Sequence, residues 1–173
     1  MKKRSLSTPH HMSHLEVLKN PNKELRETSR VLSVVEILSE KYQTLADNMI
    51  QTTKEENGVG LAAPQIGEHV RLIICDTGKE LVPFFNPIIT DFSTKLMVSE
   101  EGCLSIPGVF GLVNRHRTVK VEALTRDGEK IKLTAGGLIS TIFQHEIDHL
   151  DGILFIDRAT ILKDAKTGKR IEI

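Results

Sequence analysis

The segment from residue 138 to about residue 150 places the strongest constraint on the fold, because it combines an apolar helix face with histidines. Two glycines precede it at residues 136–137, and Asp151-Gly152 follows it, so turn-forming residues bound it on both sides. Four residues recur at steps of four, three and four: Leu138, Ile142, His145 and His149. They therefore share one face of a helix. The pattern predicts a central helix around which the rest of the chain packs.

A second helix is predicted over residues 34–55. An apolar stripe recurs at helical spacing: Leu38, Tyr42, Leu45 and Met49. Ser33 and Glu36 form a capping-box pattern at the start of the segment, and Asn57-Gly58 is expected to end the helix. Residues 58–67 contain too many glycines and other small residues to predict a regular element.

The middle of the chain predicts strands over residues 70–75, 84–90, 118–125 and 129–134. Pro87 indicates an edge or a bulge in the second of these, and Asp127-Gly128 predicts a hairpin turn between the last two. Thr167-Gly168 is a candidate turn for a terminal hairpin. This order of elements predicts an α+β fold, with mainly antiparallel sheets packed around the central helix.

The central helix contains the pattern H-E-x-x-H, in which His145 and His149 lie four residues apart and can bind one metal ion together. Glu146 lies one step round the helix, where it can exchange protons with a water molecule without being a ligand. The pattern is short, however, and a solvated surface pair of histidine and glutamate is the alternative that the motif alone leaves open.

The third ligand is expected upstream of the helix. A metzincin would place a third histidine where this chain has Phe155, and a thermolysin-like enzyme needs a downstream glutamate, for which only Glu172 is present. Cys103 is the best candidate, because a thiolate binds iron or zinc strongly. The other cysteine, Cys75, lies in an apolar run and is predicted to be a buried core residue.

Three motifs appear together in a fixed order: GVGLAAPQ at residues 58–65, EGCLS at 101–105 and QHEIDH at 144–149. In sequence and spacing they resemble the defining motifs of the peptide deformylases. The similarity extends over nearly all of residues 15–157. It implies a hydrolase that removes the formyl group from N-terminal formyl-methionine of new proteins, with hydroxide on the metal attacking the formyl carbon.

The resemblance also implies the roles of individual residues. The metal, ferrous iron in the usual form of the family, is expected on Cys103, His145 and His149. Zinc, nickel or cobalt would also suit these ligands. Glu146 is expected to be the general acid and base, while the side-chain amide of Gln65 and the backbone N–H of Leu104 stabilise the oxyanion.

A substrate-binding set follows from the same resemblance: Val59, Gly60, Gly102, Leu138, Thr141 and Ile142. Glu101 and Arg115 are expected to form an ion pair that steadies the cysteine loop, with little effect on stability if the pair lies at the surface. The chain also departs from many family members. It has no arginine in residues 108–111 and has Asn114 in place of a common proline, which predicts different contacts at the pocket rim.

Residues 15–173 are predicted to form one catalytic domain, and residues 1–14 a disordered extension or a cloning remnant. The 23 basic and 23 acidic residues balance, which argues against direct DNA binding. No apolar run is long enough for a membrane span. We expect a cytoplasmic protein that acts on formyl-methionyl peptides and nascent chains. The ribosome is a further candidate partner, although the tail after Asp157 lacks the long helix that some members use there.

Two other functions remain open at the level of sequence. A zincin-type endopeptidase shares the helix but needs a different third ligand. A deformylase-like binding protein without activity would keep the fold and bind formyl peptides without releasing formate.

Overall fold

A computed structural model describes residues 13–171, which fold into two antiparallel sheets and a small number of helices. The predicted α+β class is confirmed. Most of the predicted extension, residues 1–12, lies outside the described range, as does Glu172. His14 lies inside the range, and its Nδ1 atom is 2.7 Å from Oε2 of Glu55. Within residues 13–171, no helix is both long and apolar enough to cross a membrane.

Within residues 13–171, two helices come first, most of the strands follow, and two more helices precede the last two strands; two short 3₁₀ turns lie over Lys23–Arg26 and Ala63–Ile66. The α-helices are α1 (Val34–Ile37), α2 (Glu40–Glu55), α3 (Gly137–Leu150) and α4 (Phe155–Arg158). The strands are β1 (Gly60–Ala62), β2 (Leu72–Asp76), β3 (Leu81–Phe92), β4 (Leu96–Cys103), β5 (Ile106–His116), β6 (Thr118–Leu124), β7 (Lys130–Gly136), β8 (Ala159–Asp164) and β9 (Arg170–Ile171). One sheet has the order β1-β2-β3-β6-β7, and the other has the order β4-β5-β8-β9.

The helix predicted over residues 34–55 is divided into α1 and α2 at Leu38 and Ser39. Ser39 has extended backbone angles (φ −72°, ψ 150°), and its hydroxyl donates to the carbonyl of Glu36 at 2.5 Å. Leu38, which the prediction placed on the buried stripe, is 54% exposed because the chain turns at this point. The capping box of Ser33 and Glu36 is confirmed.

Strand β2 shows how the five-stranded sheet is held between two helices. Leu72 and Ile74 pack in the cluster that contains the buried face of α2, whereas Ile73 and Cys75 pack in the cluster that contains α3. Successive side chains of a strand point to opposite faces, so both faces of β2 are buried. This explains why the sequence reads as a continuous apolar run instead of an alternating one.

The other predicted strands are present, and the pairing of β3 with β6 has two register shifts. β3 is longer than predicted, and its register with β6 shifts between Phe85 and Ile88, so the prediction of a bulge at Pro87 is confirmed. Asn86 within the bulge has φ 49°. The β6–β7 hairpin turns at Asp127-Gly128, where Gly128 has φ 75°. The terminal hairpin is also confirmed, as the pairing of β8 with β9.

The sequence did not predict β1, β4 or β5. Residues 60–62, expected to be irregular, pair with β2. The inward positions of β4 and β5 include Ser99, Glu101 and Arg115, which are all buried although they are polar. A search for alternating apolar residues does not recognise such strands, because their inward residues are polar. These residues can be buried because they form hydrogen bonds within the fold.

Candidate metal centre

The two histidines of the H-E-x-x-H pattern lie on α3, which is the most enclosed element of the protein. Residues 140–150 are all buried, and they pack against strands of both sheets. Because His145 and His149 are one helical turn apart, their rings lie side by side, with centroids 5.0 Å from each other. The alternative of a solvated surface pair of histidine and glutamate is therefore wrong, since both histidines and Glu146 are buried.

Cys103 is brought to the histidines by the end of β4. Its sulfur lies 3.3 Å from Nε2 of His149, and one donor atom each from Cys103, His145 and His149 lies within 4.8 Å of the others. Metal bonds of about 2.0–2.3 Å in a tetrahedral site place donors about 3.3–3.6 Å apart. One thiolate and two imidazoles at this separation fit one divalent transition metal and leave a fourth position open.

A buried network of charges orients His145. Oε2 of Glu101 lies 2.8 Å from Nδ1 of His145, which leaves Nε2 of the ring directed away from the carboxylate. Arg115 donates to both oxygens of Glu101, at 2.7 and 2.9 Å, and to Asp148 at 2.7 Å. Such a carboxylate–histidine contact fixes the orientation of a metal ligand. The predicted ion pair of Glu101 and Arg115 is therefore present, but it is buried and not at the surface.

The carboxylate of Glu146 lies beside the ligands and has an unusual environment. Burial raises the pKa of Glu146 to about 7. Its Oε2 atom has no hydrogen-bond partner among the described residues. A Cβ atom added to Gly60 would lie 2.8 Å from Cδ of Glu146, so the absence of a side chain at Gly60 makes room for this carboxylate. A buried carboxyl group with an oxygen that makes no hydrogen bond to the protein is suited to accept and return a proton.

Gln65 lies against the cysteine at the same place. Its Nε2 atom is 3.4 Å from Sγ of Cys103 and 3.1 Å from Oγ of Ser105, and its Oε1 atom accepts a hydrogen bond from the backbone of Ala62 at 2.8 Å. These contacts hold the amide with its N–H groups toward the metal ligands. Leu104 follows Cys103 in the turn between β4 and β5. The amide of Gln65 and the backbone of Leu104 thus approach the centre from different sheets.

A cavity of about 410 Å³ opens onto the centre. Its lining contains His145, Glu146, Gln65 and Cys103 together with every residue of the predicted substrate-binding set: Val59, Gly60, Gly102, Leu138, Thr141 and Ile142. Leu138 is 64% exposed at the entrance, whereas Ile142 is buried. The lining also includes Phe110, whose ring would be 2.7 Å from a Cβ atom on Gly102.

Three residues support the architecture of the centre: Phe155, Asp148 and Ser105. The sequence predicts a structural role for Asp148 and assigns none to the other two. Phe155 stacks on His145 with a centroid distance of 6.1 Å and an interplanar angle of 22°. Asp148 joins Arg115 to Arg158, and Ser105 accepts the hydrogen bond from Gln65. Asp148 and Ser105 lie in the motifs, which is the signal that the sequence offers for them, whereas Phe155 lies beyond the last motif. Their contacts are formed only by folding.

Cys75 takes no part in the centre. It is completely buried in the cluster beneath α3, and burial raises the pKa of its thiol well above the usual value. Neither cysteine forms a disulfide. Cys75 is a core residue, as predicted, and Cys103 lies beside the two histidines, where a candidate ligand is expected.

Comparisons with known proteins agree with this geometry. The sequence model of the polypeptide deformylase family matches residues 14–165. A peptide deformylase of Thermodesulfovibrio yellowstonii is 43% identical over 157 residues, which cover 88% of this chain and 93% of that protein.

Solved structures show the same similarity. The crystal structure of peptide deformylase from Thermotoga maritima is 33% identical, has a TM-score of 0.82 and aligns over 86% of this chain and 99% of its own. A Met-Ala-Ser-bound peptide deformylase from Acinetobacter baumannii is 39% identical, with a TM-score of 0.81 over 85% of this chain and 99% of its own. The family model matches most of the chain, and these relatives are 33–43% identical over most of their own length, so the chain belongs to the peptide deformylase family.

Proposed function

We propose that this protein hydrolyses the N-formyl group of formyl-methionyl peptides and nascent chains and releases formate. The observation that carries the proposal is the meeting of three candidate metal ligands with Glu146 and Gln65, at a partly apolar cavity that all of these residues except His149 line. A formyl group is small, and its reaction needs a nucleophile, a proton carrier and a donor for the oxyanion at one carbon atom. The cavity provides a residue for each of these needs.

The cavity also suits an extended peptide. Within the described chain, β1 lies at one edge of its sheet and β4 at one edge of the other, and residues of both strands line the cavity. A peptide can add to a sheet edge through its backbone, while its side chains enter pockets. Leu138 and Ile142 offer an apolar wall for a methionine side chain. The relative from Acinetobacter baumannii, which was solved with Met-Ala-Ser bound, supports this class of ligand.

The roles in the reaction follow from the positions of the side chains. A divalent metal on the three ligands would supply Lewis acidity, which makes water a competent nucleophile near neutral pH. The free Oε2 atom of Glu146 takes the proton of the attacking water and delivers it to the leaving amine. Gln65 keeps one N–H on Ser105, and the N–H that points toward Cys103 is the one available to the oxyanion, which Leu104 also binds through its backbone N–H.

We propose ferrous iron as the native metal. The ligand set of one thiolate and two imidazoles accepts iron, zinc, nickel or cobalt, so the choice depends on which metal is available. Iron and the thiolate of Cys103 can both be oxidised, and we therefore expect the iron form to lose activity in air. A nickel-substituted sample should keep its activity for longer. Equal decay of the two forms would argue against oxidation of iron as the cause.

The experiment that tests the function is formate release from a formyl-Met-Ala-Ser peptide by protein purified without oxygen. Bound metal is measured in the same samples. We expect release by the parent protein and a loss of about 10²–10⁴-fold in Glu146→Ala, with unchanged metal content because Glu146 is not a ligand. A metal-loaded Glu146→Ala variant as fast as the parent would refute the proton-transfer role. A metal-loaded parent that binds the peptide without releasing formate would indicate a binding protein.

Separate measurements test the remaining alternative and the partners. Cleavage of internal bonds in an unformylated peptide would indicate an endopeptidase instead. Ribosome binding and a cytoplasmic location are separate proposals, which rest on nascent chains as the substrate. Co-sedimentation with ribosomes tests the first of them. The C-terminal part of the described chain is the β8–β9 hairpin, so a contact through a long terminal helix has no support within residues 13–171.

A further inference from the structure

The N-terminal segment connects the two sheets directly behind the metal centre. Three consecutive residues, which we call the strap, each make one hydrogen bond to a residue of the centre: Leu18, Lys19 and Asn20. The backbone N–H of Leu18 donates to the carbonyl of Gln65 at 2.7 Å. The ammonium group of Lys19 donates to the carbonyl of Leu104 at 2.7 Å, and the backbone N–H of Asn20 donates to the carbonyl of Ser105 at 2.8 Å.

The strap is important because the two oxyanion donors come from different sheets. Gln65 lies in the 3₁₀ turn that follows β1 of the five-stranded sheet, and Leu104 lies in the turn between β4 and β5 of the four-stranded sheet. Two donors stabilise one oxygen only when both lie within hydrogen-bond distance of the same point. Their relative position must therefore be held to a fraction of an ångström. The strap is a short direct connection between the two turns.

Within the strap, Lys19 is the residue whose side chain makes the connection. Its contact with the Leu104 carbonyl restrains the Leu104–Ser105 peptide plane, which shares the Leu104 Cα with the plane that carries the Leu104 N–H. The direction of that N–H is accordingly coupled to the lysine contact. The hydrogen bond is assisted by the charge of the ammonium group, which makes it stronger than a neutral one. Lys19 itself is exposed and does not line the cavity, so it does not touch a substrate there.

We propose that Lys19 is a positioning residue for the deformylation reaction, which it supports by holding the Leu104 peptide group in register with the amide of Gln65. The inference rests on the proposed function, because it assigns to Leu104 the role of an oxyanion donor. A donor aligned with the transition state affects kcat, whereas a residue that only binds the peptide affects KM. This difference separates the proposal from a general structural role.

Three variants test the inference. Lys19→Met keeps the aliphatic stem and removes the donor, Lys19→Arg retains a charged donor, and Lys23→Met makes the same change at a nearby exposed lysine outside the cavity. For Lys19→Met we expect kcat for the formyl-Met-Ala-Ser peptide to fall about 3- to 10-fold, the range of one hydrogen bond, with KM and metal content unchanged. Lys19→Arg should restore most of the loss, and Lys23→Met should match the parent.

Amide hydrogen exchange gives a measurement that does not depend on activity. Residues 103–106 should exchange faster in Lys19→Met than in Lys23→Met, because the turn has lost one of its two strap contacts. An active parent with equal kcat in Lys19→Met and Lys23→Met would overturn the inference and leave the proposed function intact. A loss that arginine does not restore, or one confined to KM, would also overturn it. A metal-loaded parent without formate release would refute both proposals.

Discussion

Replacement of Gly60 by alanine tests how closely the catalytic carboxylate is fitted into its site. The added methyl would lie 2.8 Å from Cδ and 2.9 Å from Cγ of Glu146, and closer still to one carboxylate oxygen. An ordinary carbon contact is about 3.5 Å, so the carboxyl group must move by about 0.7 Å. The side chain of Glu146 is buried and the backbone of Gly60 is paired with Cys75 in the sheet, so neither group can move freely.

The expected result is a loss of activity at unchanged metal content. A misplacement of about 1 Å in a catalytic group costs about 100-fold in rate, and we expect kcat of Gly60→Ala to fall by up to this amount. Overpacking should also lower the free energy of unfolding by about 1–3 kcal/mol. The assay is formate release at saturating peptide, with metal analysis and thermal unfolding of the same samples. Gly136→Ala is the control, because a Cβ atom there has only Thr118 Oγ1 nearby, at 3.9 Å.

A second variant establishes whether the effect passes through Glu146. In the Glu146→Ala background there is no carboxylate to displace, so the Gly60→Ala change should cost little further activity. Equal losses in both backgrounds would refute the argument. A rise in KM with kcat unchanged would also refute it, and would show that Gly60 serves the approach of the substrate backbone, the reason for which the sequence first indicated it.

Three further predictions concern the network, a turn and the metal. Arg115→Met leaves the carboxylates of Glu101 and Asp148 buried without their shared partner, so chemical denaturation should show a loss of about 3–5 kcal/mol. A loss below about 1 kcal/mol would contradict this account. Gly152→Ala places a methyl against the backbone of Arg26, 2.7 Å from its carbonyl carbon, at φ 72°, and should lower the melting temperature, whereas Gly136→Ala should not. Chelation should abolish formate release, and ferrous iron, but not magnesium, should restore it.

The chemistry of this protein was largely predictable from its sequence, because metal catalysis requires particular side chains at particular spacings. Two histidines on one helix, such as His145 and His149, can bind the same metal when they are one turn apart, and that spacing is visible in the chain. Cys103 could be inferred as the third ligand because no suitable ligand followed the helix. The structure then brought these three residues together.

Local packing was less predictable, because it depends on contacts between distant parts of the chain. The strands β4 and β5 were missed since their inward positions hold polar residues that pair only after folding, such as Glu101 with Arg115. The break between α1 and α2 was missed because Leu38 fits the apolar stripe equally well whether or not the helix continues. Hydrophobic periodicity describes one element at a time and contains no information on such pairing.

The sequence alone therefore determined which residue types the centre contains and which helix presents them. Only the tertiary structure decided how they are oriented: Glu101 on the ring of His145, Gly60 beneath Glu146, and the strap across the turns of Gln65 and Leu104. The physical reason is that spacing along a helix is a local property of the backbone. The direction of a side-chain donor or acceptor is set by partners that lie far away in the chain and close in space.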